Sequence, residues 1–368
     1  MKETKRINLF EKYLTIWVLI CMVVGVLIGH YLGFIPEFLE RFTYAEISIP
    51  IAILIWLMIY PMMLKVDFTS LRNVRKEPKG LYLTWVVNWL VKPFTMFLIA
   101  ALFFLFVFSR LIEDDLARQY LAGAVILGAA PCTAMVFVWS HLTKGNPAYT
   151  VVQVATNNLL LLVLFTPIVA LLIRFTGVLE TVGVPLPWDT LLISVFLFVV
   201  IPLAAGAFTR TRVMRRRGET YFNESFLPKF KHVTIIGLLL TLVLIFSFQA
   251  GIIIQNPLHI VLIGIPLIIQ TFFIFFIAYL GAKKLRLQHN VAAPAGMIGA
   301  SNFFELAVAV AIAIFGAASP VALATTVGII VEVPVMLMLV AIANKTRNWF
   351  PQEALSPASE KFASVRSE

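Results

Sequence analysis

The chain has 368 residues, of which 60% are apolar and only 13% charged, with a formal net charge of +10. Soluble domains carry about 25% charged residues, so this composition excludes an ordinary soluble fold. Both cysteines, Cys21 and Cys132, lie inside apolar runs, which excludes a disulfide framework.

Runs of about 18 or more apolar residues read as membrane-spanning helices, because about 20 helical residues cross about 30 Å of hydrocarbon. The sequence predicts ten. The first half holds Leu14–Phe34, Ile47–Leu64, Leu81–Phe108, Gln119–Leu142 and Tyr149–Phe175. The second holds Thr190–Phe208, Val233–Ile254, Leu258–Ala282, Val291–Gly316 and Pro320–Ala343. Span one is too long for a signal peptide, and no small-residue cleavage site follows it. The expected fold is therefore all-α, since an open strand in lipid leaves backbone groups unpaired.

The charges set an orientation. Lys2, Lys5, Arg6 and Lys12 precede span one, and Lys65, Arg72, Arg75, Lys76 and Lys79 follow span two. Arg210, Arg212, Arg215, Arg216, Arg217, Lys229 and Lys231 crowd the connection after span six. Lys283, Lys284 and Arg286 follow span eight, and Lys345 and Arg347 follow span ten. The alternate connections hold only Arg41, Arg110, Arg118 and Arg174, beside Glu37, Glu40, Glu46, Glu113, Asp114, Asp115, Glu180 and Asp189. Basic loops stay inside, so both termini are expected in the cytoplasm of a cell-membrane protein. The +10 charge is then a property of cytoplasmic loops rather than a nucleic-acid surface. The loop between spans six and seven reads as solvated, with lipid head-group contact as a second reading.

This pattern predicts a short cytoplasmic tail (1–13), two five-helix halves (14–176 and 177–343) and a cytoplasmic tail (344–368). Five is odd, so related halves must enter the membrane from opposite faces, as in the inverted repeats of secondary transporters. One matched feature supports this. Span four carries Gly128-Ala129-Ala130-Pro131-Cys132-Thr133, and span nine carries Gly299-Ala300-Ser301-Asn302. Each is a small, polar interruption in the fourth span of its half. Pro131 lacks an N–H and clashes with the carbonyl of Leu127. Two half-helices are expected to begin at about Pro131 and about Asn302, with free N–H groups and positive dipole ends near the midplane. The plainer alternative is a proline kink and a small-residue packing face.

Only two acidic residues fall well inside the membrane, Glu305 and Glu332. An intramembrane carboxylate costs about 2.5–3.5 kcal/mol on insertion scales and is a functional hypothesis by default. Glu305 lies one turn past the break in span nine, and its four-residue spacing from Ser301 puts both on one helix face, near Asn302. In those apolar surroundings it suits a group that loads and releases protons; a purely structural glutamate is the alternative. Glu332 sits beside Pro334, which frees the carbonyl of Ile330, so a proton or cation site and a structural role are both open.

Cys132 follows Pro131 directly, and a thiol at a helix N-terminus is a better soft ligand. Thr156, Asn157 and Asn158 lie together in span five, where amides either join helices or complete a site. Lys92, beside Pro93, is the one basic residue deep in a span; it snorkels, pairs with a glutamate or supports span three. No histidine lies in mid-span, and no zinc or iron ligand spacing is present. Without a P-loop the chain has no ATPase of its own, and no cofactor is implied. Cys132 has no histidine within reach to act as a base, which argues against an intramembrane enzyme.

Gly128 to Trp139, followed by His141-Leu142 and Asn146-Pro147, closely resembles a signature of the ten-helix arsenite efflux permeases. Ser301-Asn302-Phe303-Phe304-Glu305-Leu306-Ala307-Val308-Ala309 and Glu332-Val333-Pro334-Val335-Met336-Leu337 are similar to their other signatures. The resemblance runs from span one to span ten. It implies the fold of the bile acid, arsenite and riboflavin transporter superfamily: two inverted repeats, a panel and a core domain, with helices four and nine broken and crossing. It implies that Cys132 and Glu305 are required for transport. Cys132 is then the expected As(III) ligand and Glu305 the expected proton-coupling group, with Glu332 added from the reading of the residues above. Pro131, Thr133, Asn157, Asn158, Ser301, Asn302 and Lys92 would support the site.

The implied function is export of arsenite, and of antimonite in some members, in exchange for protons. Arsenite at neutral pH is an uncharged trihydroxide with a thiophilic centre. One thiol with hydroxyls, amides and a carboxyl, and no arginine, suits it better than an anion. The competing expectation is a sodium-coupled importer of organic anions, with Asn157, Asn158, Ser301 and Asn302 around sodium; such an importer has no need of Cys132.

Overall fold

Apolar runs of this length must satisfy their own backbone groups, and helices do so within one segment. The computed structural model describes residues 14–44, 47–70, 78–133, 135–183 and 188–351. Lys2, Lys5, Arg6, Lys12, Glu46, Arg72, Arg75, Lys76 and the tail beyond 351 lie outside the described residues. Among the described residues the regular structure is helical apart from a minimal antiparallel pair, Thr43–Tyr44 against Ile47–Ser48. Among the described residues, five helical runs are long and apolar enough to cross a membrane: Pro78–Val107, Pro147–Thr176, Trp188–Phe248, Pro257–Lys284 and Pro320–Lys345. Ile16–Tyr31, Ile49–Met63 and Phe304–Phe315 are shorter apolar helices.

Several boundaries differ from the sequence expectation. Span one ends at Tyr31, and a separate short helix, Phe34–Glu40, follows. Span four starts at Asp114 rather than Gln119, with Asp114 and Asp115 in its first turn, where negative charge favours a helix N-terminus. Span six continues as helix up to a kink at Gly218, so Arg210 to Arg217 ride on a helix rather than in a loop. Arginine is a good helix former, and nothing there stops the helix before Gly218. Gly218 has φ 82° and ψ 167°, a conformation that glycine adopts readily. The chain reverses there: Phe222 lies under the Arg210 guanidinium, 5.2 Å from its ring centroid. A continuous helix would place twelve residues about 18 Å apart. Span seven then runs Phe230–Phe248.

Two groups of helices result. Spans one, two, six and seven pack on one another, and spans three, four, five, eight, nine and ten form a second group around the buried core. Span three packs on the first half of span four, as span eight packs on the first half of span nine. The second half of span four lies on span five, as the second half of span nine lies on span ten. Spans one and seven approach closely at Gly25 and Gly29. A Cβ on Gly25 would stand 2.5 Å from the Val243 carbonyl oxygen, and one on Gly29 would overlap the Ser247 carbonyl. Small residues permit such backbone approach within a membrane.

Candidate functional site

The first half of span four, Asp114–Gly128, ends at the glycine, and helix resumes only at Val136. In span nine, His289–Ala300 stops before Ser301, and helix resumes at Phe304. The half-helices therefore start later than expected from Pro131 and Asn302. Cys132 lies in unwound chain, four residues before its half-helix, so a helix N-terminus does not explain its chemistry. The second half of span four is a short Val136–Leu142. The Leu127 carbonyl is taken up by the Ala130 N–H at 3.3 Å.

The two unwound segments meet, and each satisfies the backbone the other exposes. Pro131 and Asn302 form an antiparallel bridge. The Phe303 N–H donates to the Ala130 carbonyl at 2.8 Å, and the Cys132 N–H to the Ser301 carbonyl at 3.4 Å. The Lys92 ammonium, 1% exposed, donates to the same Ser301 carbonyl at 2.6 Å. Lys92 therefore does not snorkel; it points into the crossing. Its place on span three adjoins a π-helical turn, Val87–Val91, a local irregularity frequent at functional sites.

Glu332 reaches the crossing from span ten. The Ser301 hydroxyl donates to its carboxylate, and the Asn302 N–H donates to the same oxygen at 3.1 Å. Ser301 thus joins Lys92 to Glu332, carbonyl on one side and hydroxyl on the other. It does not share a helix face with Glu305: its ψ of 146° puts it in the extended break. Glu332 bonds across to span nine rather than to the carbonyl of Ile330.

A cavity of about 520 Å³ lies between the two helix groups. Asn302, Glu305 and Glu332 face it from the second group, and Met58, Met62 and Leu238 from the first. Lys65, Leu227 and Pro228 also line it, so it reaches the end of the molecule that carries the connection between spans six and seven. Cys132, 2% exposed, is not in its wall; its N–H donates to the carbonyl of Ser301, next in sequence to the cavity-lining Asn302. Thr133 is buried beside it, with a hydroxyl that has no partner among the described residues.

A family model described as the sodium bile acid symporter family matches residues 52–256. An arsenical-resistance protein Acr3 of Alkaliphilus metalliredigens is 62% identical over 352 residues, covering 96% of this chain and 97% of that protein. The chain belongs to the Acr3 arsenical-resistance family. A second Acr3 protein, from Corynebacterium glutamicum, is 32% identical over 98% of this chain and 95% of its own length. A Synechocystis protein named uncharacterized transporter slr0944 is 45% identical over 96% of this chain and 93% of its own. The wider family is one of transporters, not enzymes.

In this Acr3 chain the structure brings Pro131, Cys132, Thr133, Ser301, Asn302, Lys92 and Glu332 to one crossing, with Glu305 on the cavity it borders. Asn157 and Asn158 are buried in span five but absent from the cavity wall. Asn158 donates to the Val154 carbonyl at 2.9 Å, and Asn157 accepts from Gln153 at 3.4 Å. Those two bonds stay within span five; Thr156, which accepts from the Trp85 indole at 3.1 Å, joins span five to span three. Two candidates escaped the sequence reading. Asn88, fully buried in the π-helical turn, has neither amide atom partnered among the described residues. Its only signal is a lone amide in an apolar run. Trp139 faces the cavity with its indole N–H unpartnered among them; buried tryptophans usually find a partner for that group.

Proposed function

We propose that this protein exports arsenite from the cytoplasm in exchange for protons. The observation that carries the proposal is the cavity bordered by Glu305, Glu332 and Asn302, with Cys132 hydrogen-bonded to Ser301, the neighbour of Asn302. Two of its relatives are named arsenical-resistance proteins. The proposal takes both termini to be cytoplasmic and the cavity to open inward, past Lys65 and Pro228.

The packing supports two inverted five-helix repeats. Spans one, two, six and seven would form the panel, and the other six the core. The matched contacts of spans three with four, and eight with nine, are what such a repeat requires. Arsenite entering the cavity would meet Asn302 and Glu305 first and reach the Cys132 thiol past Asn302 as the two groups move. An As–S bond forms as one hydroxyl leaves arsenic with the thiol proton as water, and hydrolysis reverses it. A single thiol keeps that exchange reversible. Protonation of Glu305 from outside competes with substrate and resets the carrier. Lys92, Ser301, Asn302 and Glu332 hold the crossing in register, and Glu332 is a second site for the exchanged proton.

The sodium-coupled organic-anion reading is favoured by the family description and by the carbonyl oxygens of Asn158 and Asn302, which have no partner among the described residues. It leaves Cys132 without a role. Glu305→Gln in everted membrane vesicles tests the carboxylate. Arsenite accumulation driven by a pH gradient is expected to be lost, while exchange of arsenite for arsenite persists. Gradient-driven accumulation at the wild-type level would remove Glu305 from the coupling.

A further inference from the structure

A second cavity, of about 780 Å³, lies on the outer side of spans two, six and seven. Its wall is apolar, with Ile53, Trp56, Leu57, Ile193 and Val233. Ile53 is 56% exposed and Ile193 54%, so the groove opens outward, where a spanning helix meets hydrocarbon. Along span two it runs from Ile49 to Tyr60, about 16 Å of helix. It therefore runs along nearly the whole of the span-two helix, Ile49–Met63.

The Tyr60 end of the groove is basic. The Tyr60 hydroxyl donates to Thr209 at 2.9 Å, and span six then continues through Arg212, Arg215, Arg216 and Arg217, all exposed. After the reversal at Gly218, a ladder of rings leads back: Phe222 to Phe226 at 5.8 Å, Phe226 to Phe230 at 5.3 Å, and Phe230 to Tyr60 at 5.9 Å. Arg210 is engaged by Asp67, and Arg217 by the Tyr221 hydroxyl. Arg212, Arg215 and Arg216 form no ion pair with a described residue. The acidic residues nearest in sequence, Glu219 and Glu224, leave the cluster net positive.

We propose that this groove is a binding site for an anionic phospholipid, with an acyl chain between spans two, six and seven and the headgroup on Arg212, Arg215 and Arg216. An apolar slot along span two whose Tyr60 end is continued by uncompensated arginines fits that amphiphile, and each basic residue near a lipid surface contributes about 1 kcal/mol. Pro61 and Phe230 line both this groove and the central cavity. A bound chain therefore lies one side chain away from the path between the helix groups. The site stands whether or not arsenite is the substrate.

Native mass spectrometry of the purified full chain, with phosphatidylglycerol and phosphatidylcholine added in equal amounts, tests it. The wild type is expected to retain phosphatidylglycerol preferentially. Combined Arg212→Gln, Arg215→Gln and Arg216→Gln should lower that preference by on the order of a hundredfold, about fivefold per arginine. Ala52→Trp, which fills the groove, should reduce retention of both lipids. Equal retention by the wild type, or an undiminished preference in the triple variant, would overturn the proposal. Raising the salt concentration on the wild type needs no variant: screening must weaken the preference, and a salt-independent preference would also overturn it.

Discussion

Lys92 and Glu332 are two buried charge-bearing side chains joined through Ser301, and a double-mutant cycle measures how far they compensate. Lys92 is 1% exposed, Ser301 0% and Glu332 6%. The ammonium donates to the Ser301 carbonyl at 2.6 Å, while the carboxylate accepts from the Ser301 hydroxyl and the Asn302 N–H. Removing one charge from a buried, compensated set costs about 3–5 kcal/mol, because the other is left uncompensated. Lys92→Met and Glu332→Gln should therefore each destabilise by that amount. The combined variant removes both charges and should be less costly than the sum by about 2–3 kcal/mol, near the upper end of coupling energies for residues in one network. The assay is reversible unfolding of the purified protein in mixed detergent, for wild type, both single variants and the combination. Additive costs would refute the reasoning, since they would mean that Ser301 does not couple the two groups.

Three further predictions follow from the packing and the ion pairs. Gly29→Ala would press a methyl group into the Ser247 carbonyl and should destabilise by about 1–3 kcal/mol, read in the same unfolding assay. Gly251→Ala, with open space around its Cβ position, should be nearly neutral there. Burial pushes the Asp67 carboxyl up, but hydrogen bonds from Thr69 and the charge of Arg210 more than offset it, so its pKa is lowered. That stabilisation is fully present above the unfolded value, about 3.9, and is lost as pH falls through the folded one. The pair is partly exposed, so Asp67→Asn should cost about 1 kcal/mol at pH 7, with the difference from wild type shrinking below about pH 4. A difference that grows on acidification would contradict the pairing.

The spans were legible because long apolar runs in lipid have one economical conformation. The breaks were legible because Pro131 cannot continue a helix and the glycines tolerate unwinding. Where each break ends was not: helix resumes at Val136 and Phe304 because the intervening backbone finds partners on the other broken span, a contact between residues 170 apart. The same long-range pairing takes Ser301 off the face of Glu305 and gives it to Glu332 and Lys92. The extension of span six through its arginines was readable in principle, since no breaker precedes Gly218. So was Gly25 to Gly29, a small-residue spacing that marks close helix packing. Asn88 was not, because its place depends on a π-helical turn that no residue type announces.

The central claim is tested most directly by arsenite accumulation in everted vesicles under an imposed pH gradient or sodium gradient, for wild type and Cys132→Ser. The account predicts uptake driven by the pH gradient, none from sodium, and loss of that uptake in the variant. Sodium-driven uptake, or a Cys132→Ser protein as active as wild type, would contradict it.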